Sequence, residues 1–345
     1  MPAVRTLSQR TLNRALLARQ SLLERGGWSI PRALDRIAGI QAQYAPSMYL
    51  GLWSRLARFR REGLTDALER REVVQGTLMR STIHLVSRKD YWPLAVAVRG
   101  SRREWWLRAT PERLTDREMS AAAARLRERI AEGPMPRKDI DTLLGKRVAS
   151  GVGMWLEMVR VPPSGTWERR RADLYAAAED WIGPADVELP EAIAHLVRRY
   201  LAGFGPATRK DVQDFTGLPQ REIGPAIERL AVRRFADERG QELLDVPRGP
   251  LPDPDTPAPV RFLPTWDATL LAHARRTQIL PEEDRNRVFH TKTPHSFPTF
   301  LVDGRVAGTW RHEDGAVRVE EFHRLDRTAR RAVAEEAERI AAFHA

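Results

Sequence analysis

Cysteine is absent from the 345 residues, which excludes a disulfide framework and a thiolate metal site and makes the cytoplasm, nucleoid included, the expected compartment. Long apolar runs are missing too. The best candidate, WPLAVAV at Trp92–Val98, stops at Arg99, far short of the roughly 18–20 residues that a membrane helix needs. The opening MPAVRTLSQR lacks the apolar core of a secretory signal. No Walker loop, Gly-x-Gly-x-x-Gly, His-Glu-x-x-His or Gly-x-Ser-x-Gly occurs. The histidines are dispersed, and His290 with His295 lacks neighbouring carboxylate ligands, so neither a metal nor any other cofactor is expected. Any chemistry here must be light on machinery.

What is present is positive charge. Lys+Arg 57 against Asp+Glu 46 gives a net charge of +11, and arginine dominates. Such a balance favours a polyanionic partner, although a GC-rich genome alone would also enrich arginine and alanine.

The strongest internal pattern is a repeat. GPMPRKDIDTLLG at Gly133–Gly145 and GPATRKDVQDFTG at Gly205–Gly217 share Gly, Pro, Arg, Lys, Asp, an aliphatic residue and the final Gly without a gap. An amphipathic helical pattern precedes each copy, and a second helical candidate follows, around GVGMWLEMVR and PQREIGPAIERLAV. Each ends in a basic segment able to form a hairpin: VPPSGTWERRRADLY turning at Pro163–Gly165, and RRFADERGQELLDV turning near Arg239–Gly240. Helix, short helix, turn, helix and hairpin is the winged-helix plan.

The N-terminal region repeats the plan more loosely, with helices predicted over SQRTLNRALLARQSLL, SIPRALDRIAGI and PSMYLGLWSRLARF and a two-stranded wing over EVVQGTLMRSTIHLVSR. The expected architecture is therefore α+β: three tandem winged helices over residues 1–110, 111–185 and 186–248, a proline-rich linker over 249–259, and a small β-rich domain over 260–345. That last domain carries a hairpin signal at Asp303–Gly304 and closes with a helix that Asp326 can cap.

One winged helix usually serves a dimeric regulator, whereas three in one chain remove the need for a second copy and line a continuous basic surface that grips phosphates. A monomer bound to duplex DNA is the expectation. Candidate phosphate contacts are Arg137, Lys138, Arg209 and Lys210 at the equivalent repeat positions, Arg169, Arg170 and Arg171 in the second hairpin, and Arg80 in the first wing. His84 is placed to approach a lesion or the duplex. Tyr44 and Tyr49 are candidates for stacking, and Trp167 for a wedge, with core packing as the alternative for each.

Taken as a set, IQAQYAP, LMRSTIHLVSRKDY, RVPPSGTWERRRADLY, FLPTWDATLLAH and FLVDGRVAGTWR resemble the AlkZ/YcaQ winged-helix DNA glycosylases, over nearly the whole chain and in family order. The resemblance implies a monofunctional glycosylase that removes N-alkylated purines from DNA and, in the AlkZ branch, unhooks interstrand crosslinks at guanine N7. That branch carries its catalytic motif as Gln, aliphatic, Gln, where the YcaQ branch ends in Asp. Carried over, the motif falls on Gln41, Ala42 and Gln43 and sides with AlkZ. In the WDATLLAH region the matching positions are Trp266, Asp267, His273 and Arg276, for which DNA support or scaffolding is expected.

Physical chemistry makes the assignment intelligible. Cleavage of an N-glycosidic bond passes through an oxocarbenium-like sugar, and a neutral purine leaves poorly without acid assistance. An N7-alkylated purine is already cationic, so departure neutralises it. An amide can then suffice, accepting a hydrogen bond from water and donating one to the sugar or phosphate. A non-catalytic regulator or damage-binding protein would share the wings and the charge, but has no reason to need both amides.

Overall fold

The computed structural model describes residues 5–110, 114–274, 276–290 and 295–345. At the N-terminus β1 (Thr6–Leu7) leads into α1 (Gln9–Arg19), capped by the Ser8 side chain. There follow α2 (Ile30–Ile37), β2 (Ile40–Gln41), α3 (Ala45–Arg55), α4 (Arg61–Glu69), β3 (Val73–Thr77) and β4 (Ile83–Ser87), and then the 22-residue helix α5 (Arg88–Ala109). The next set is α6 (Asp116–Ile130), β5 (Met135–Pro136), α7 (Arg137–Leu144), α8 (Lys146–Gly151), β6 (Met158–Arg160) and β7 (Leu174–Ala177), trailed by α9 (Ala178–Ile182). After it come α10 (Leu189–Phe204), α11 (Arg209–Thr216), α12 (Gln220–Arg229), β8 (Arg233–Asp237) and β9 (Glu242–Asp245).

Three times, then, the chain runs helix, strand or bridge, helix, helix, hairpin. Each time the early strand pairs with the second arm of its own hairpin: β2 with β4, β5 with β7, and Ala207 with Leu244 of β9. The first two hairpins join through Gln75↔Arg160 and Gly76↔Val159, giving one six-stranded sheet in the order β2-β4-β3-β6-β7-β5. The repeated sequence is a repeated structure. Both α7 and α11 begin at an arginine and stop at a glycine with positive φ, 79° at Gly145 and 74° at Gly217, a conformation in which a Cβ is strained.

Three expectations need correction. GVGMWLEMVR is not a helix: α8 ends at Gly151, a single 3₁₀ turn spans Val152–Met154, and β6 begins at Met158. Gly151 and Gly153 weaken a helix there, while Val159 and Val161 favour a strand. The helix α4 was not foreseen, although Leu64, Ala67 and Leu68 supply its buried stripe. The second hairpin does not close tightly at Pro163–Gly165. Residues 161–173 form a folded loop in which the Ser164 hydroxyl donates to Arg171 O at 2.8 Å and accepts from the amide of Asp173 at 2.7 Å.

Beyond β9, residues 246–260 contain neither helix nor strand, as the prolines dictate. Arginines of α1 pin this strap: Arg19 donates to Pro250 O, Arg10 to Pro254 O and Arg14 to Thr256 O. Helix α1 also bonds Gly304 O through Asn13, so its partners lie largely at the far end of the sequence. The last part comprises β10 (Arg261–Leu263), α13 (Arg285–Val288), β11 (Phe289–His290), β12 (His295–Ser296), β13 (Thr299–Val302), β14 (Arg305–Glu313), β15 (Ala316–Glu321) and α14 (Arg327–His344). Its sheet runs β10-β13-β14-β15, with positive φ at both Asp303 and Gly304 in the tight turn. Asp326 caps α14 by accepting from the amide of Ala329 at 2.7 Å.

At the centre lies α3, every residue of which is buried. Its polar groups are all the more in need of partners. Arg55 finds a bidentate one in Asp267, at 2.9 and 2.8 Å, with both side chains 2% exposed. Asp267 also accepts from the amide and hydroxyl of Thr269. This pair ties the helix that follows the glutamines to the distant WDATLLAH segment.

Candidate active site

The glutamines sit at the entrance to α3. Ala38 and Gly39, with φ of 62° and 78°, end α2 and turn the chain into β2, where Gln41 lies opposite His84. The ladder continues through the Ala42 amide, which donates to Ile83 O at 2.8 Å. An extended backbone sends alternate side chains to opposite faces. Gln41 and Gln43 therefore share a face, while Ala42 is buried against the cluster around α3. This alternation gives a physical reason for an aliphatic residue between two amides.

Gln41 is buried and Gln43 exposed. Gln41 Nε2 donates to Gln43 Oε1, and Gln41 Oε1 accepts from Arg80 Nη2 at 3.1 Å. Arg80 stands in the turn between β3 and β4 with φ 52°. It also donates to Phe215 O at 3.1 Å, and its guanidinium lies 5.0 Å from the Phe215 ring centre. Burial pulls the Arg80 pKa down to about 10. Beside it, His84 is buried, and its Nδ1 lies 3.0 Å from Thr82 O. A carbonyl only accepts, so Nδ1 carries the proton and Nε2 presents a lone pair. Burial, then the neighbouring Arg80 charge, holds the His84 pKa down to about 3. Among the described residues, no Asp or Glu is hydrogen-bonded to either glutamine, to Arg80 or to His84.

Exposed residues surround the pair. Tyr44 is 46% exposed, and its hydroxyl accepts from Arg170 Nη1 at 3.2 Å, which brings the 161–173 loop to the glutamines. Arg169 and Arg171 are exposed beside Asp173, at 3.6 and 3.3 Å. Arg137 and Lys138 begin α7, and Arg209 and Lys210 begin α11. Arg137 pairs with Asp141 at 2.7 Å, Arg209 with Glu242 at 3.6 Å and Lys210 with Asp214 at 2.9 Å.

Three DNA-contact assignments fail on burial. Tyr49 is fully buried, with its hydroxyl 3.0 Å from Thr65 Oγ1. Trp167 is buried edge-on to Tyr49 and to Phe343 of α14, with ring centres 5.6 and 5.5 Å apart, so it fastens the loop to α3 and α14 and offers no wedge. His84 is 3% exposed and so does not reach the duplex, whereas Arg80 is half-buried and hydrogen-bonded to Phe215 O and Gln41 Oε1. The WDATLLAH region is scaffold at two of its positions: Asp267 holds Arg55, and His273 is buried with Nε2 3.0 Å from Phe204 O. Arg276 lies over the Phe289 ring at 4.8 Å.

A family model described as DNA glycosylase AlkZ-like matches residues 34–343. The chain belongs to the AlkZ-like DNA glycosylase family. It is therefore an enzyme acting on DNA. The DNA glycosylase AlkZ of Streptomyces sahachiroi has a similar fold, with a TM-score of 0.82 at 19% identity, covering 97% of this chain and 96% of that one. No curated protein matches by sequence. Among the described residues, no helix is long and apolar enough to cross a membrane, and no group of three or more His, Asp or Glu is placed to hold a metal ion.

The buried histidine carries a stability consequence. Its unfolded pKa, about 6.5, exceeds the folded value of about 3, so the unfolded chain binds the extra proton as pH falls. The contribution of His84 is whole above about pH 6.5 and declines below it by up to ~1.4 kcal/mol per pH unit, or roughly 2 kcal/mol between pH 7.5 and 5. Urea midpoints at those two pH values should differ less in His84→Gln than in the wild type. An unchanged difference would mean that the folded protein protonates His84 normally.

Proposed function

We propose that this enzyme hydrolyses the N-glycosidic bond of cationic N7-alkylguanine in duplex DNA, bulky adducts and interstrand crosslinks included, with Gln41 and Gln43 as its catalytic residues. One observation carries this reading: two neutral amides are bonded to each other, Gln41 buried and Gln43 exposed beside it, and among the described residues no carboxylate is bonded to either. Such a site has no strong base and no proton donor for a neutral purine. It suits a base whose own positive charge makes it a good leaving group.

In the proposed step Gln43 Oε1, which already accepts from Gln41, uses its other lone pair to hold a water near the anomeric carbon. The carbonyl dipoles favour the positive charge that develops on the sugar. Water attacks as the C–N bond breaks, the base leaves neutral, and the water proton passes to solvent. We read the three repeated units as winged helices that grip phosphates through Lys138, Lys210, Arg137, Arg209 and Arg169–Arg171, with Tyr44 stacking on a base or sugar near the lesion and His84 behind the pair. Three units in one chain suit a cytoplasmic, nucleoid-associated monomer. The exposure of Gln43 and Tyr44 suits adducts too large to enclose, the kind met in self-protection against a DNA-alkylating natural product.

The test is leaving-group selectivity. Single-turnover assays on matched duplexes should release N7-methylguanine and a bulky N7-guanine adduct, with little release of uracil or hypoxanthine. Robust excision of either uncharged base would sink the proposal, since the amides cannot supply the proton transfer it requires.

A further inference from the structure

Arg80 drew attention in the sequence only as a basic residue in a wing, yet the fold half-buries it and aims it at Gln41. A guanidinium has donors and no acceptor. Whatever faces Arg80 must therefore be a lone pair, which compels Gln41 to present Oε1 to it at 3.1 Å and turns the Gln41 amide nitrogen towards Gln43. Gln43 must then answer with its own carbonyl. One donor-only group thus fixes which way two amides point. Without it, each amide could flip and offer NH₂ where a water needs an acceptor.

Arg80 is itself overdetermined. Its backbone occupies the left-handed region, its other terminal nitrogen is spent on Phe215 O, and its charge faces the Phe215 ring. Phe215 belongs to α11, whose terminating Gly217 lies against the Arg80 backbone: a Cβ there would stand 3.8 Å from its nitrogen. The turn between β3 and β4 is therefore where the third repeated unit reaches the glutamines.

We propose that Arg80 is a positioning residue that sets the polarity of the Gln41–Gln43 pair and couples it to α11. This rests on the glycosylase reading above for its kinetic consequence, though not for its structural one. Arg80→Met should slow single-turnover release of N7-methylguanine at least tenfold, while DNA affinity and its salt dependence stay within twofold. In a Gln41→Ala background the same change should cost less than twofold, because the group it acts through is gone. Guanidinium ion at low millimolar concentration should restore part of the Arg80→Met rate where equal sodium chloride does not. Arg80→Lys, which keeps a donor and a charge, covers the case in which Arg80→Met folds poorly, and should retain more activity than Arg80→Met.

An equal loss in both backgrounds would overturn the proposal, as would a salt slope reduced by about one, the mark of a lost phosphate contact. A readout without activity separates this inference from the glycosylase reading. The side-chain amide ¹H–¹⁵N signals of Gln41 and Gln43, assigned by mutation, should both move in Arg80→Met and Arg80→Lys if the relay exists. If neither moves, the relay is absent even should the enzyme prove to be the proposed glycosylase. If they move but the wild type releases no base, the relay stands and the glycosylase reading fails.

Discussion

Gln43→Ala is expected to slow release of N7-methylguanine by about two to three orders of magnitude, the range seen when one positioned polar group is removed from a reacting centre. Gln43 is the exposed end of the relay, so its loss removes the acceptor for the attacking water while leaving the arginines of the hairpin loop and of α7 and α11 untouched. DNA affinity should therefore change little. Gln41→Ala should fall in the same range, and the double variant should be little worse than either single one, because the pair works as a unit. Measured rates that simply multiply would mean two independent roles.

The second large effect is on stability. Asp267→Ala would leave Arg55 charged and unpaired inside the protein, and breaking a buried pair in this way typically costs about 3–5 kcal/mol. Burial pushes the Asp267 pKa up, but the Arg55 charge and hydrogen bonds outweigh it and hold the carboxyl below its ordinary value, in keeping with an ionised partner. Because α3 follows directly on the glutamines, the loss should loosen the site as well as the fold. Chemical denaturation should show a much lower midpoint for Asp267→Ala, and Arg55→Met/Asp267→Leu should recover most of it, since no charge is then stranded. A single variant within about 1 kcal/mol of the wild type would contradict the reading of this pair as buried and closed.

These two predictions also mark what the sequence disclosed. The 72-residue offset between Gly133 and Gly205 was legible because both copies need the same turn glycine after the same short helix, and tight turns leave strong local signals, as at Asp303–Gly304. The position of the glutamines between two helices was legible as well. Their geometry was not: β2 is a two-residue strand, too short for alternation to register, and its partner His84 lies 43 residues away by the Gln41↔His84 register.

Burial was left open wherever an element has no polar face. Helix α3 is covered on all sides, so periodicity could not say whether Tyr49 looked inward, and Trp167 is buried by Phe343 from the other end of the chain. Arg55 with Asp267 and Arg80 with Phe215 are contacts across 212 and 135 residues. No local pattern distinguishes such an arginine from the solvated ones around it, so only the fold could supply the partners of Arg80.

The measurement that bears most directly on the central claim is single-turnover release of N7-methylguanine from duplex DNA by the wild type and by Gln41→Ala/Gln43→Ala, with the dissociation constant of each for the same duplex determined alongside. The account predicts that release collapses in the double variant while the dissociation constant stays within a few-fold. A wild type that binds the duplex and releases no base, or a variant that loses binding and release together, would contradict it and leave the glutamines as structural groups between two helices.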